Sequence, residues 1–504
     1  MALTGKTASA RHHWGLIIAA LGIFLAALDQ TVIVTALPGM AADLNITDQE
    51  LDKAFWIVTG YLLGYTAAMP LLGRVADIYG LQRIYIASLL LFGVASIGCA
   101  MAESLWILVG WRIVQAIGGG AVLPIGMAIA VAQSKGEGAT ALGFIGAAAE
   151  AGGVLGPAYG GLITNLLGWR WIFWLNLPLA ALICVGLYLT MRAIPRERGR
   201  IDYAGGALLA ASLTMLTVAL SRSVGSSVAG VDPAQAGSFA VEWTAPGTLA
   251  LLFGAAATFA GFLWWERRAS APLIELAAFR RPAFSGANTA NFLVGAALIV
   301  AMVNIPFLEN TVREGDPLSG GLLLMRLTAM IPVGAIVGGL LMRRVAGRSV
   351  AVLGLLVSAA GFWLLGSWTV DVSDLHATID LLLTGLGFGL VIAPLGAAAI
   401  GAVGRERMTT AAALLTVMRL VGMTIGIAVL ASWSLAKKTV YFAEIGRSIP
   451  LSQREELAAA IQQATLLIYT QSFRMAALLC LLAIIPALFL PRTRAHERAP
   501  LLVG

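Results

Sequence analysis

Fourteen apolar stretches, each long enough to cross a bilayer, constrain this chain more than any other feature. They fall at about 14–38, 54–73, 84–101, 104–131, 141–167, 172–191, 203–221, 246–265, 284–308, 318–342, 349–370, 380–402, 409–434 and 470–491. A helix rising about 1.5 Å per residue needs roughly 20 residues to traverse a hydrocarbon core ~30 Å thick. Inside that core each backbone amide must find its partner within its own segment, so runs of this length are expected to be helices. The reading is an all-α membrane protein, and 504 residues leave little chain for a separate soluble domain. Composition agrees, with 59% hydrophobic and 12% charged residues, against roughly 45–50% and about 25% in soluble domains. The first run carries an acid and leads straight into further runs, so it is expected to be a retained helix, not a cleaved signal peptide.

The charges sort by side. With the N-terminus placed in the cytoplasm, 21 of the 33 Lys and Arg residues fall on the tails and even-numbered connections and eight on the opposite side. Sixteen acids lie on the outer connections and eight inside. Positive charge favours the cytoplasmic side, which predicts an N-in, C-in topology with 14 transmembrane helices. Clusters such as Arg196, Arg198 and Arg200, or Arg267, Arg268, Arg280 and Arg281, are then expected to face anionic lipid headgroups, so no nucleic-acid partner is expected. Cys99, Cys184 and Cys480 lie in apolar runs without metal-ligand or paired spacing, and no metal site or disulfide is expected. His12, His13, His376 and His496 fall in tails or loops, which leaves acids to carry any proton. The sequence has no Walker A pattern and no nucleophile motif, so an enzyme is not expected.

A repeat is faintly visible. LLGRVADIYGLQR (Leu71 to Arg83) after the second run is echoed by LLMRRVAGR (Leu340 to Arg348) after the tenth. Transporters are commonly built from such repeats. The expected organisation is an N-terminal six-helix bundle over 1–200, two inserted linker helices over 201–283, and a C-terminal six-helix bundle over 284–504. The segment 435–469 is the longest connection. Ser452 and Glu455 have the spacing of a capping box, and a helix from there through the last run is longer than the bilayer core, so helices around 435–469 are expected to project outward; a surface-lying helix that turns before the span is the alternative.

Three charges lie near the middle of their runs: Asp29, Glu150 and Arg419. A charge at mid-bilayer costs at least roughly 2.5–3.5 kcal/mol, so each is expected to face a cavity or a partner. Asp29 shares a helical face with Gly22, Ala26 and Ala36, Glu150 with Gly143, Gly146, Gly153, Pro157 and Gly160, and Arg419 with Thr416, Gly422 and Gly426. Contact between these acids and Arg419 would bridge the two halves. Desolvation favours a neutral acid and a neighbouring arginine favours a carboxylate, so movement of one half against the other would load or release a proton. A static ion pair that only fixes helix register is the competing reading. For Arg112, with Gln115 and Gly119 beside it, both readings stand. Arg326 and Arg474, near the ends of their runs, are expected to snorkel.

Several segments resemble one family, the fourteen-span drug:proton antiporters of the major facilitator superfamily. LDQTVIVTALP (Leu28 to Pro38) is similar to its first-span motif with the acid Asp29. GRVADIYG matches its gating-loop motif at Gly73, Ala76, Asp77 and Gly80, although Ile78, Leu81 and Gln82 stand where the family usually has basic residues. Arg112, Gln115 and Gly118 match the fourth-span motif, whose arginine the family implicates in proton handling. Gly156, Pro157, Gly160 and Gly161 match the antiporter motif, and GWRWIFWLNLP (Gly168 to Pro178) is also typical. The resemblance is strongest to the mycobacterial lipoprotein-partnered triacylglyceride exporters, on Trp56 to Arg74, Glu150 and MRLVGMTIGIA (Met418 to Ala428). It implies the major facilitator fold, location in a bacterial inner membrane, and proton-coupled export by alternating access. Proton coupling would then rest on Asp29, Glu150, Arg419 and Arg112, with the proton gradient in place of any cofactor. The implied partners are membrane lipids, a lipophilic cargo such as triacylglycerides, and a periplasmic lipoprotein carrier. Efflux of amphipathic drugs is the alternative cargo.

Overall fold

The computed structural model describes residues 2–44, 56–134, 138–191, 200–221, 246–314, 317–404, 407–449 and 453–492. The described residues form α1 (Ala2–Asp43), α2 (Trp56–Tyr79), α3 (Leu81–Ala100), α4 (Leu105–Gln133), α5 (Gly138–Leu167), α6 (Arg170–Thr190) and α7 (Tyr203–Ser221). They continue with α8 (Pro246–Glu266), a 3-10 turn (Leu276–Arg280), α9 (Pro282–Thr311), α10 (Pro317–Leu341), α11 (Gly347–Leu365), α12 (Asp374–Gly401), α13 (Met408–Ser448) and α14 (Arg454–Ala487). Each of the fourteen α-helices contains a stretch long and apolar enough to cross a membrane, matching the fourteen runs one for one. α1, α13 and α14 extend well beyond their apolar runs, because hydropathy marks only the part of a helix that lipid surrounds. The α2–α3 and α5–α6 links are so short that glycine is required: Gly80 has φ 104° and Gly168 φ 91°, values that side-chain-bearing residues rarely adopt.

Helices α1–α6 pack among themselves, as do α9–α14. The two groups meet where α5 lies against α10 and α12, and where α13 lies against α2 and α4. α7 and α8 pair with each other, and α7 also touches α2 and α13. Leu216 and Leu220 of α7 pack on Ile425 and Ala428 of α13, so α7 lies beside the α2–α13 seam.

Hydrocarbon gives helices no hydrophobic reason to associate, so close backbone approach has to hold them together. α5 shows how the sequence provides it. A Cβ on Gly156 would lie 2.8 Å from the Leu28 carbonyl oxygen, and one on Gly160 2.5 Å from that of Val32. These glycines therefore bring α5 against the part of α1 that carries Asp29.

Close contacts between the two groups lie on the side of the midplane marked by Asp77. There a Cβ on Gly73 would lie 3.3 Å from the Thr409 carbonyl oxygen, Thr140 donates to the Gly339 carbonyl at 3.3 Å, and Gly143 abuts Ala335. Past Glu150 in the other direction, Gly153 and Gly161 on the same face of α5 meet no atom within 4 Å in the Cβ direction. The protein is closed at the Asp77 end and parted at the other.

α13 has 41 residues and α14 has 34, lengths of about 60 Å and about 50 Å at 1.5 Å per residue. Ser452 of the expected capping box lies outside the described residues; α14 begins at Arg454 after an N-cap Gln453 that makes no side-chain cap bond.

Candidate functional site

Two ion pairs, one buried and one partly exposed, occupy the middle of the protein. In the first, Arg112 of α4 donates through Nη1 to Asp29 Oδ2 of α1 at 2.5 Å, and both side chains are fully buried. Two side-chain amides converge on the other carboxylate oxygen: Gln115 Nε2 at 3.1 Å and Asn176 Nδ2 of α6 at 2.7 Å. Ser96 of α3 accepts from Gln115 at 2.8 Å and donates to the Phe92 carbonyl at 2.8 Å. Four helices thus combine to hold one carboxylate, and a buried charge is tolerated when its lone pairs are satisfied in this way. The guanidinium carbon of Arg112 lies 4.1 Å from the ring centroid of Tyr61 and 5.7 Å from that of Phe173, so aromatic faces complete its shell.

In the second pair, Arg419 Nη1 of α13 lies 2.6 Å from Glu150 Oε1 of α5. Its side chains are 25% and 17% exposed, so this pair borders open space while the first is sealed. A small cavity of about 10 Å³ adjoins Arg419, lined also by Asn291, Leu298, Ile331, Phe388 and Ile392, with room for about one water. Gly295 and Gly422 admit close contact of α9 and α13 around Arg419: the Gly422 Cβ direction meets the Phe292 carbonyl, and that of Gly295 meets the Arg419 carbonyl itself. The arginine is therefore carried by a closely packed helix pair.

The geometry redistributes the expected contacts. Arg419 meets Glu150 across the two groups of helices. Asp29 does not reach Arg419; its partner is Arg112, in its own group, because α4 lies between α1 and α13 at this level. Arg326 and Arg474, expected to snorkel, find polar partners at the helix ends. Arg326 donates to Asp374 and Thr378, each at 2.7 Å, and Arg474 to the Gly366 carbonyl at 3.1 Å. Sequence reasoning missed Asn176, Ser96 and Tyr61. The available signal was an uncharged polar residue in mid-run, as at Asn176 within WIFWLNLP, a far weaker mark than a charge.

Asp77 forms a third element. Its Oδ1 accepts the Thr409 N–H at 3.1 Å, and its Oδ2 accepts the Thr410 N–H at 3.2 Å and hydroxyl at 3.0 Å. A side chain at the end of α2 thereby caps the first turn of α13, where unpaired amides and the helix dipole favour a negative group. Of the antiporter-motif residues, Gly156 and Gly160 face α1, the Pro157 carbonyl accepts from Thr35 at 3.0 Å, and Gly161 faces open space. Among the described residues no cluster of His, Cys, Asp and Glu could hold a metal.

A family model described as Major Facilitator Superfamily matches residues 19–427. The chain belongs to the Major Facilitator Superfamily. It is a multi-pass membrane transporter of that superfamily. A triacylglyceride transporter of Mycobacteroides abscessus is 38% identical over 82% of this chain and 81% of its own length. A triacylglyceride transporter of Mycobacterium tuberculosis is 34% identical over 95% of each chain. Among solved structures, the human organic anion transporter MFSD10 superposes with a TM-score of 0.60 at 17% identity, over 93% of this chain and 99% of its own, a likeness of fold. Within the superfamily fold, the two ion pairs and the Asp77 cap all sit where helices from different parts of the chain converge.

Proposed function

We propose that this transporter is a proton-driven exporter of lipophilic cargo, triacylglycerides or closely similar lipids, from a bacterial inner membrane. The observation that carries the reading is the Glu150–Arg419 pair, which joins the two groups of helices at the edge of the parted side, with Asp29–Arg112 sealed behind it. An ion pair across a moving interface is a switch. When the groups are together the arginine stabilises the carboxylate; when they part, the carboxyl is left in a poorly solvated site, where the neutral acid is favoured. Rocking the groups would then take up a proton on one side and release it on the other. Proton entry down the membrane potential contributes about 2.3 kcal/mol per charge per 100 mV. The Asp77 cap on α13 holds the closed end, and the excess of Lys and Arg on that side supports its being cytoplasmic.

The cargo assignment rests on the relatives, named triacylglyceride transporters and aligned with most of this chain. The lengths of α13 and α14, well above what a ~30 Å core requires, are consistent with outward delivery of lipid to a lipoprotein carrier. The test is transport in proteoliposomes of a fluorescent triacylglyceride analogue and, in parallel, of an amphipathic cationic dye, with and without an imposed proton gradient. Gradient-dependent movement of the lipid analogue is expected. Movement of the dye alone would assign the protein to drug efflux, and lipid movement indifferent to the gradient would contradict proton coupling.

A further inference from the structure

Tyr61 and Tyr65 lie one turn apart on α2, both buried. Their rings stack with centroids 5.8 Å apart and planes 22° from parallel. The guanidinium of Arg112 lies over the Tyr61 ring at 4.1 Å, and the Tyr61 hydroxyl donates to the Ala26 carbonyl of α1 at 3.4 Å, one turn before Asp29. Tyr65 shares a face of α2 with Gly73, which packs on Thr409 and Ala413 of α13, the helix that carries Arg419. One aromatic column thus runs from Asp29 and Arg112 through Tyr61 to Tyr65, on the face of α2 turned toward the helix of Arg419.

The sequence makes room for this column. A Cβ on Gly119 would lie 2.8 Å from the Tyr61 hydroxyl, one on Gly120 2.6 Å from the Tyr65 carbonyl oxygen, and one on Gly64 2.7 Å from the Ile113 carbonyl oxygen. Bare backbone on α2 and α4 presses the tyrosines into one arrangement, so a displacement at one end has little slack to absorb it.

We propose that Tyr61 and Tyr65 are positioning residues that couple the charge on Asp29 to the Glu150–Arg419 pair. The proposal rests on the proton-coupled reading above and adds the link between its two sites. When Asp29 is neutral, Arg112 keeps Gln115 Oε1 at 2.7 Å and the ring of Tyr61 but loses its counter-ion. The cation then bears harder on the Tyr61 ring, and the stack passes the shift to Tyr65 and so to the packing of α2 on α13, the helix that carries Arg419. Coupling of this kind needs contiguous packed side chains whose arrangement both sites bias. Phenylalanine preserves a stacked ring at either position; leucine does not.

The test is double electron–electron resonance on the full-length protein in lipid nanodiscs, with spin labels at Tyr79→Cys and Val345→Cys, exposed positions on the Asp77 side of the two groups. The native cysteines are buried. Asp29→Asn mimics the neutral acid and is expected to shift the population of the short, closed-end distance. The shift should vanish in Tyr61→Leu and in Tyr65→Leu and persist in Tyr61→Phe and Tyr65→Phe. A shift on Asp29→Asn that survives both leucine variants, or is lost equally in the phenylalanine variants, overturns the tyrosine link alone. No shift from Asp29→Asn in the otherwise unchanged protein overturns the proton-coupled reading and this proposal with it.

Discussion

Thr410 gives both its backbone N–H and its hydroxyl to a single oxygen of Asp77, at 3.2 and 3.0 Å, across 333 residues of chain. Capping of a helix by a side chain usually comes from the residue just before it. Here it comes from another helix in the other group, so helix stability and closure of one end of the transporter depend on the same bonds.

Removal of that carboxylate should loosen the closed end without unfolding the protein. Loss of an N-cap costs about 0.5–2 kcal/mol, so Asp77→Ala should lower the closed-to-open ratio by about 2- to 30-fold. Thr410→Val keeps both amide bonds and should have the smaller effect. Inter-label distances across this end, or cross-linking of cysteines placed there, would measure both.

The sealed pair should behave as a unit. Arg112→Ala leaves Asp29 buried and unpaired, at a cost of about 3–5 kcal/mol, whereas removing both charges costs less than the sum of the single losses. Thermal unfolding in detergent, followed by tryptophan fluorescence, should show Arg112→Ala well below wild type and Asp29→Ala/Arg112→Ala partly recovered. Asn176→Ala, which withdraws one donor from Asp29 Oδ1, should cost about 1–3 kcal/mol.

Two glycines of the same motif should respond oppositely. A Cβ on Gly156 would press on the Leu28 backbone at 2.8 Å, and overpacking of this kind costs about 1–3 kcal/mol. Gly161 has no atom within 4 Å in that direction, so Gly161→Ala should be neutral or stabilising by about 0.5–1 kcal/mol through helix propensity. The same thermal assay distinguishes them.

The helix count was legible because a bilayer imposes a minimum length on every crossing, and even the seventh and eighth runs appear as α7 and α8. The ends were less legible: nothing in hydropathy tells that α13 continues through Lys437, Lys438 and Glu444 to Ser448, because a helix outside lipid needs no apolar run. At the site, Asp29, Glu150, Arg112 and Arg419 stood out because charge in hydrocarbon is costly. Their pairing did not, since it depends on which helices are neighbours; the face of Asp29 in a helical projection points toward α4 as readily as toward α13. Asn176 and Ser96 escaped because an uncharged polar residue costs far less in a span than an ion does. The Asp77 cap was half visible: the motif singled out the acid, but its partners Thr409 and Thr410 carry no signal until α13 is seen to begin beside them.

The inter-group pair gives a sharper expectation than the sealed one. Glu150→Gln and Arg419→Gln should each reduce transport strongly while costing less thermal stability than Arg112→Ala, because this pair is partly exposed and the Asp29–Arg112 pair is fully buried. The charge-reversed protein, Glu150→Arg with Arg419→Glu, should recover part of the activity if attraction alone holds the groups, and none if the acid must sit on α5. Uptake of the lipid analogue by proteoliposomes bearing each variant measures this.

The most direct measurement of the central claim is proton movement itself. Proteoliposomes loaded with a pH-sensitive dye and given a triacylglyceride gradient should show proton flux opposite in direction to the lipid in the wild-type protein and none above background in Asp29→Asn or Glu150→Gln. Lipid movement without any accompanying proton flux, or proton flux unchanged in both variants, would contradict the account.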